Sequence, residues 1–159
     1  VLNAKGTTIA ASNWREPTSF VGSDYSFRPY FKNARADGVA ELFAHGAIHA
    51  VPDGPPETVF AGRDAVRGLY ERSTRRYEDG TPRSRHLVTN AIIEVDADAA
   101  TASSRSVFTV LQATPGLPLQ PIVTGRYHDT FHRVDGAWCF ATRTMHLDLT
   151  GDLSQHMLF

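Results

Sequence analysis

The order of the hydrophobic periods along the chain predicts an α+β fold, with helices packed on one side of a curved, mainly antiparallel sheet. Three observations carry this reading. Val39, Ala40, Leu42 and Phe43, and later Val66, Leu69, Tyr70, Ser73 and Tyr77, form two apolar stripes at helical spacing. Four long β-rich runs follow, at 85–95, 101–113, 122–134 and 137–149. Asp135-Gly136 joins the last two as a tight hairpin turn, so the chain ends in a meander.

The elements follow in order. VLNAKGTTIAAS reads as a short strand pair turning at Asn3 to Gly6, and the aromatic, turn-rich stretch after it as an irregular loop. Pro29 suits the first turn of a helix over 29–35, with Ser26 as an upstream cap. Asp37 looks like the cap of the next helix, which Gly46 ends. AIHAV and ETVFAG are short strands around the turn PDGPP. Residues 63–77 make the clearest helix, closed by the turn EDGTP. DADA turns between the first two long strands, and TPGLPLQP reads as a stiff connection between the next two.

Composition narrows the partners. At 159 residues, 42% apolar and 21% charged, the chain is the size of one domain with a proper core. A net charge of -1 argues for neither a nucleic-acid nor a membrane-surface partner. Arg72, Arg75 and Arg76 fit a solvated helix face. No apolar run approaches the roughly 18 residues of a membrane span, and no basic-then-apolar leader opens the sequence. Cys139 is the only cysteine, which excludes an internal disulfide and disfavours a thiolate metal site. The expectation is a soluble, cytoplasmic protein.

The stretch Ser84 to Val95, SRHLVTNAIIEV, is the candidate pocket wall. Strict alternation sends His86, Val88, Asn90 and Ile92 to one face, so an imidazole able to move a proton near neutrality shares its face with apolar residues. The alternative is a hydrogen-bonded histidine at a strand end. Alternation also puts Arg143 on a face with Ala137, Cys139, Ala141 and Met145, small or apolar residues that leave room for a ligand, although an edge-strand surface arginine fits the same pattern. Tyr127 is a core aromatic that can also line a pocket. Asp129, on the same face, either serves the site or pairs with Arg133 or a neighbouring strand. His128 and His132, four residues apart on a strand, lie about 13 Å from each other, too far for one metal ion.

From about residue 37 to 159 the chain resembles the SnoaL-like, scytalone-dehydratase-like branch of the nuclear transport factor 2-like superfamily. ADGVAELFAHGAIHAV, AGRDAVRGLY, SRHLVTNAIIEVD and GRYHDTFHRVDGAWCFATRTMHLDL carry the resemblance. It implies a cone-shaped α+β barrel around an apolar pocket, usually a dimer or trimer, acting without a cofactor on a small hydrophobic molecule. It also implies His86 and Arg143 as catalytic, Arg143 stabilising a leaving anion, and Tyr127 as an aromatic of the pocket. Asn90 and Asp129 complete the candidate pocket. The implied chemistry is dehydration, dehydrohalogenation or isomerisation, with a non-catalytic binding or oligomerisation module as the alternative.

One position departs from that pattern. The family's histidine is oriented by a carboxylate eleven residues before the position of Phe43, and here that residue is Lys32. A lysine cannot orient an imidazole as a carboxylate does, and its charge depresses the ring's pKa. Residues 1 to about 38, especially GTTIAASNWREPTSFVGSDYSFRPYF, resemble instead the periplasmic sensor region of four-carbon dicarboxylate sensor kinases. There the tyrosine and arginine matching Tyr25 and Arg28 help bind carboxylates. The rest of that domain is not in this sequence, so dicarboxylate sensing is not expected. The chain thus reads as a composite, joined near residues 36–38.

Overall fold

The computed structural model describes residues 36–97 and 100–159. The strand pair and helix expected within 1–35, and the positions of Tyr25, Arg28 and Lys32, lie outside the described residues. The chain divides into two compact units, Val1–Val39 and Ala40–Phe159, and the second holds the sheet.

Helix α1 (Ala36–Leu42) starts one residue before Asp37, which therefore lies in its first turn rather than ahead of it. The chain then forms β1 (Ala47–His49), a single 3-10 turn at Pro56–Thr58, and β2 (Val59–Ala61). Gly46, just ahead of β1, packs directly against the backbone of the C-terminal strand: a Cβ there would lie 2.2 Å from the Phe140 carbonyl oxygen. Helix α2 (Gly62–Ser73) stops short of the expected Tyr77 because Thr74 leaves the helix to bridge Met157 in the C-terminal segment.

The four long strands are β3 (Ser84–Val95), β4 (Thr101–Thr114), β5 (Leu117–Val134) and β6 (Ala137–Thr150). They form the expected antiparallel meander in a six-stranded curved sheet of order β2-β1-β6-β5-β4-β3, with β1 running parallel to β6. The fold is α+β, as predicted. The stiff connection expected at TPGLPLQP is instead a hairpin: Thr114 pairs with Leu117 across Pro115-Gly116, and β5 begins at once. Pro118 and Pro121 fit inside this strand because the β4–β5 register slips between Gln112 and Thr114 and again between Val110 and Leu111.

One face of the sheet, here the inner face, carries Phe108, Val110, Leu117, Ile122 and Tyr127 as a buried cluster, with Val123, Met145 and Leu153 packed against it. Ala40, Phe43, Ile48 and Val66 are buried as well. Phe43 stacks on Phe140, and Phe140 meets Phe131, with ring centres 4.8 and 4.7 Å apart.

Two bulges rewrite the expected faces. On β3 the register with β4 shifts between Thr89 and Ile92, with Asn90 at φ 53°. The alternation therefore inverts: Ile93 and Val95, not Ile92, continue the face of His86 and Val88. On β6 Thr142 pairs with Thr130 but Phe140 with Phe131, so Ala141 is the extra residue. Arg143 therefore shares its face with Met145, Phe140 and Trp138, and the expected grouping with Ala137 and Cys139 is overturned.

Candidate functional site

The inner face brings Arg143, Asp129 and Tyr127 together by register alone. On β5 and β6, Asp129 pairs with Arg143 and Tyr127 with Met145, which puts all three side chains on the buried side of two central strands. Arg143 is thus on an interior strand of the sheet, flanked by β1 and β5, and not on an edge. Its Nε and Nη2 donate to the two Asp129 carboxylate oxygens at 2.8 and 2.7 Å, a bidentate fork. This settles the partner of Asp129 as the neighbouring strand, while Arg133 stacks over Trp138 at 4.8 Å.

The guanidinium also lies over two aromatic rings. Its Cζ is 4.0 Å from the Tyr127 ring centre and 4.8 Å from that of Phe140. Tyr127 in turn stacks on Phe108 at 4.3 Å. Gly125 makes room for this stack, since a Cβ there would lie 2.7 Å from the Phe108 ring. Burial pushes the Tyr127 hydroxyl up to about 12, with Arg143 opposing the rise and Tyr70 and Asp129 adding to it. Tyr70, from α2, is raised by burial too, and again Arg143 opposes. For Arg143 itself burial works to lower the pKa, but the hydrogen bonds and charge of Asp129 outweigh it and the net shift is upward. The result is a closed polar pole: one cation, one anion and two phenols that stay protonated at neutral pH.

His86 occupies the other pole. It pairs with Val110 on β4, whereas Tyr127 faces Ser106, four residues along the same strand or roughly 13 Å. His86 is exposed, like the rest of β3 after Ser84, yet desolvation lowers its pKa and the charges of His156 and Arg143 lower it further. The imidazole is therefore neutral at pH 7. Asn90 is exposed at the bulge, off the strand alternation that was expected to place it beside His86.

Two residues of this region carried no sequence signal of function. Tyr70 reads only as part of the apolar stripe of a helix. His156 stands in a C-terminal segment without periodicity, yet it is buried, 8% exposed, and close enough for its charge to act on His86.

The opposite, outer face offers a cavity of about 440 Å³ lined by His49, Pro52, Asp53, His128, Thr144 and His146. His128 and His146 meet with ring centres 4.3 Å apart. His128 is lowered by desolvation and then by His146, Arg126 and Arg105. Even so, among the described residues no three His, Cys, Asp or Glu side chains gather to hold a metal ion. Nor, among them, is any helix long and apolar enough to cross a membrane.

Comparison with known proteins agrees with this architecture. The chain is similar to a scytalone dehydratase-like protein from Novosphingobium aromaticivorans, with 26% identity, a TM-score of 0.56, and coverage of 79% of this chain and 83% of that one. It is also similar to Rv3472 from Mycobacterium tuberculosis, a protein of unknown function, at 31% identity and a TM-score of 0.54, covering 71% of this chain and 60% of that one. In its N-terminal part, 52 residues are 54% identical to the C4-dicarboxylate transport sensor protein DctB of Rhizobium meliloti, which is 33% of this chain but only 8% of the sensor's length. A family model described as a SnoaL-like domain matches residues 25–144. With three quarters of its length so matched and a curved α+β sheet to go with it, the chain belongs to the SnoaL-like domain family of the nuclear transport factor 2-like superfamily.

Proposed function

We propose that the inner face is a cofactor-independent acid–base site for a small hydrophobic substrate, with lyase or isomerase chemistry. The observation that supports this most is a neutral imidazole at one end of the inner face and a fixed guanidinium at the other. His86 takes a proton from carbon, and the C–H electron pair becomes the new double bond. The leaving oxygen or halide departs with its bond electrons, and Arg143 stabilises that charge. Tyr127 shapes the wall beneath it. The Nη1 of Arg143 donates to no group among the described residues, so it remains available to an anion even while Asp129 holds the other edge. Asn90, exposed at the bulge between Thr89 and Ile92, takes no part in the proton transfer.

In the sequence Lys32 falls at the family's position for the orienting carboxylate, and turnover is correspondingly weak. Steady-state kinetics on dehydratase and dehydrochlorinase substrates test the reading: His86→Ala abolishes the residual rate and Lys32→Asp raises it. Rates untouched by both substitutions overturn it.

A second reading follows from the ion pair. Asp129 already neutralises Arg143, which suits a module that binds an apolar molecule without transforming it, alone or as a dimer or trimer. Under that reading a ligand binds the inner face and His86→Ala leaves its affinity unchanged.

A further inference from the structure

We infer that the outer face carries a transition-metal site, with His128 and His146 as two adjacent imidazole ligands of one ion, copper(II) or nickel(II), and water in its remaining positions. The site lies on the other side of the sheet from Arg143 and Asp129, so it stands apart from the acid–base reading. Register brings the two side chains together. His128 of β5 is opposite Thr144 of β6, and Arg126 is opposite His146, which makes the histidines diagonal neighbours on one face. Their ring centres are 4.3 Å apart and their planes are tilted by 46°. Neither ring makes a hydrogen bond among the described residues, so a nitrogen of each is open to an ion.

The separation selects the ion. With ligand nitrogens about 2.0–2.1 Å from a metal, two imidazole centres stand about 4.5 Å apart at a right angle and about 5.2 Å apart at a tetrahedral one. The observed 4.3 Å matches the right angle of a tetragonal or octahedral site and is too close for tetrahedral zinc. Imidazole ligands in that geometry suit copper(II) and nickel(II), with copper the tighter. No third His, Cys, Asp or Glu among the described residues stands close enough to join the pair, so water completes the sphere and the ion exchanges. The surroundings leave space for it. The pair lines the cavity of about 440 Å³ together with His49 and Asp53, and the Asp53 carboxylate pairs with no cation among the described residues. The nearby guanidiniums are already held, Arg126 by Asp148 at 2.8 Å and Arg105 by Glu94 at 3.9 Å.

Titration of the whole chain with copper(II) chloride, read by electron paramagnetic resonance, tests this without reference to turnover. The tightest-bound ion shows two imidazole nitrogens in its equatorial plane and binds about tenfold or more above zinc. His128→Gln and His146→Gln each weaken it by about tenfold or more, because each leaves a single ligand, whereas His132→Gln, two residues further along the same face of β5, changes nothing. Copper also raises the melting temperature of the parent chain and of His132→Gln, but not of the other two variants, since only a bound ion stabilises the fold. Melting without metal confirms that the Gln variants are folded. Copper binding that survives both substitutions, weakens in only one of them, shows a single nitrogen, or is matched by zinc overturns the inference.

Discussion

Two arginine–carboxylate pairs cross the same two strands, one on each face, and they differ in almost nothing but solvent. Arg143 of β6 holds Asp129 of β5 inside, with side chains 21% and 4% exposed; Arg126 of β5 holds Asp148 of β6 outside, with side chains 50% and 37% exposed. Both are forked, the outer one through Nε and Nη2 at 3.0 and 2.8 Å. Outside, water already solvates each charge and salt screens the pair, so the contact adds little. Inside, each charge depends on the other, and the pair becomes a fixed dipole that the fold cannot half remove. The same chemistry is decoration on one face and a structural commitment on the other.

The contrast can be broken most forcibly at Asp129. Asp129→Asn strands the Arg143 cation and lowers unfolding free energy by about 3–5 kcal/mol in urea titration. The double variant Asp129→Leu with Arg143→Met regains most of that stability while losing any turnover, which separates scaffold from chemistry. Gly46→Ala tests the inner face from its edge: the added methyl, 2.2 Å from the Phe140 oxygen, costs about 1–3 kcal/mol by overpacking.

Acid acts on the inner face more gently. His86 and His156 both have folded pKa values below the unfolded value of about 6.5. As pH falls through that value the unfolded chain takes up protons first, so stability declines as pH drops below about 7 and levels off once pH is below the folded pKa values. Melting temperature followed across that range checks it, and His86→Gln flattens the decline. The smallest effect belongs to the outer pair. Asp148→Ala leaves the urea midpoint unchanged within error, and added salt removes whatever difference remains.

The meander was legible because alternation and the Asp135-Gly136 turn are local signals, and they placed all four long strands. What local signals cannot show is register between strands. The slips at Asn90 and Ala141 moved Ile92, Ala137 and Cys139 off the faces that parity assigned them, and brought Ile93, Phe140 and Trp138 in. Asn90 carried a hint, since asparagine tolerates positive φ better than most residues, but the hint gains meaning only beside β4. Parity singles out Arg143 and Asp129 one strand at a time, but their pairing depends on their standing opposite each other. His156 left no trace because burial of an irregular tail depends on what it is tied to, here Tyr77 and Gln112.

Among the described residues β3 is an edge of the sheet, and Leu87, Val88, Ile92, Ile93 and Val95 are all exposed along it. A flat edge of that length and greasiness invites another chain to zip onto it. The kink at Asn90 splits the edge into two short halves that twist apart, so an incoming strand finds no continuous ladder. The residue that spoiled the tidy alternation is also the one that guards the rim against runaway self-association.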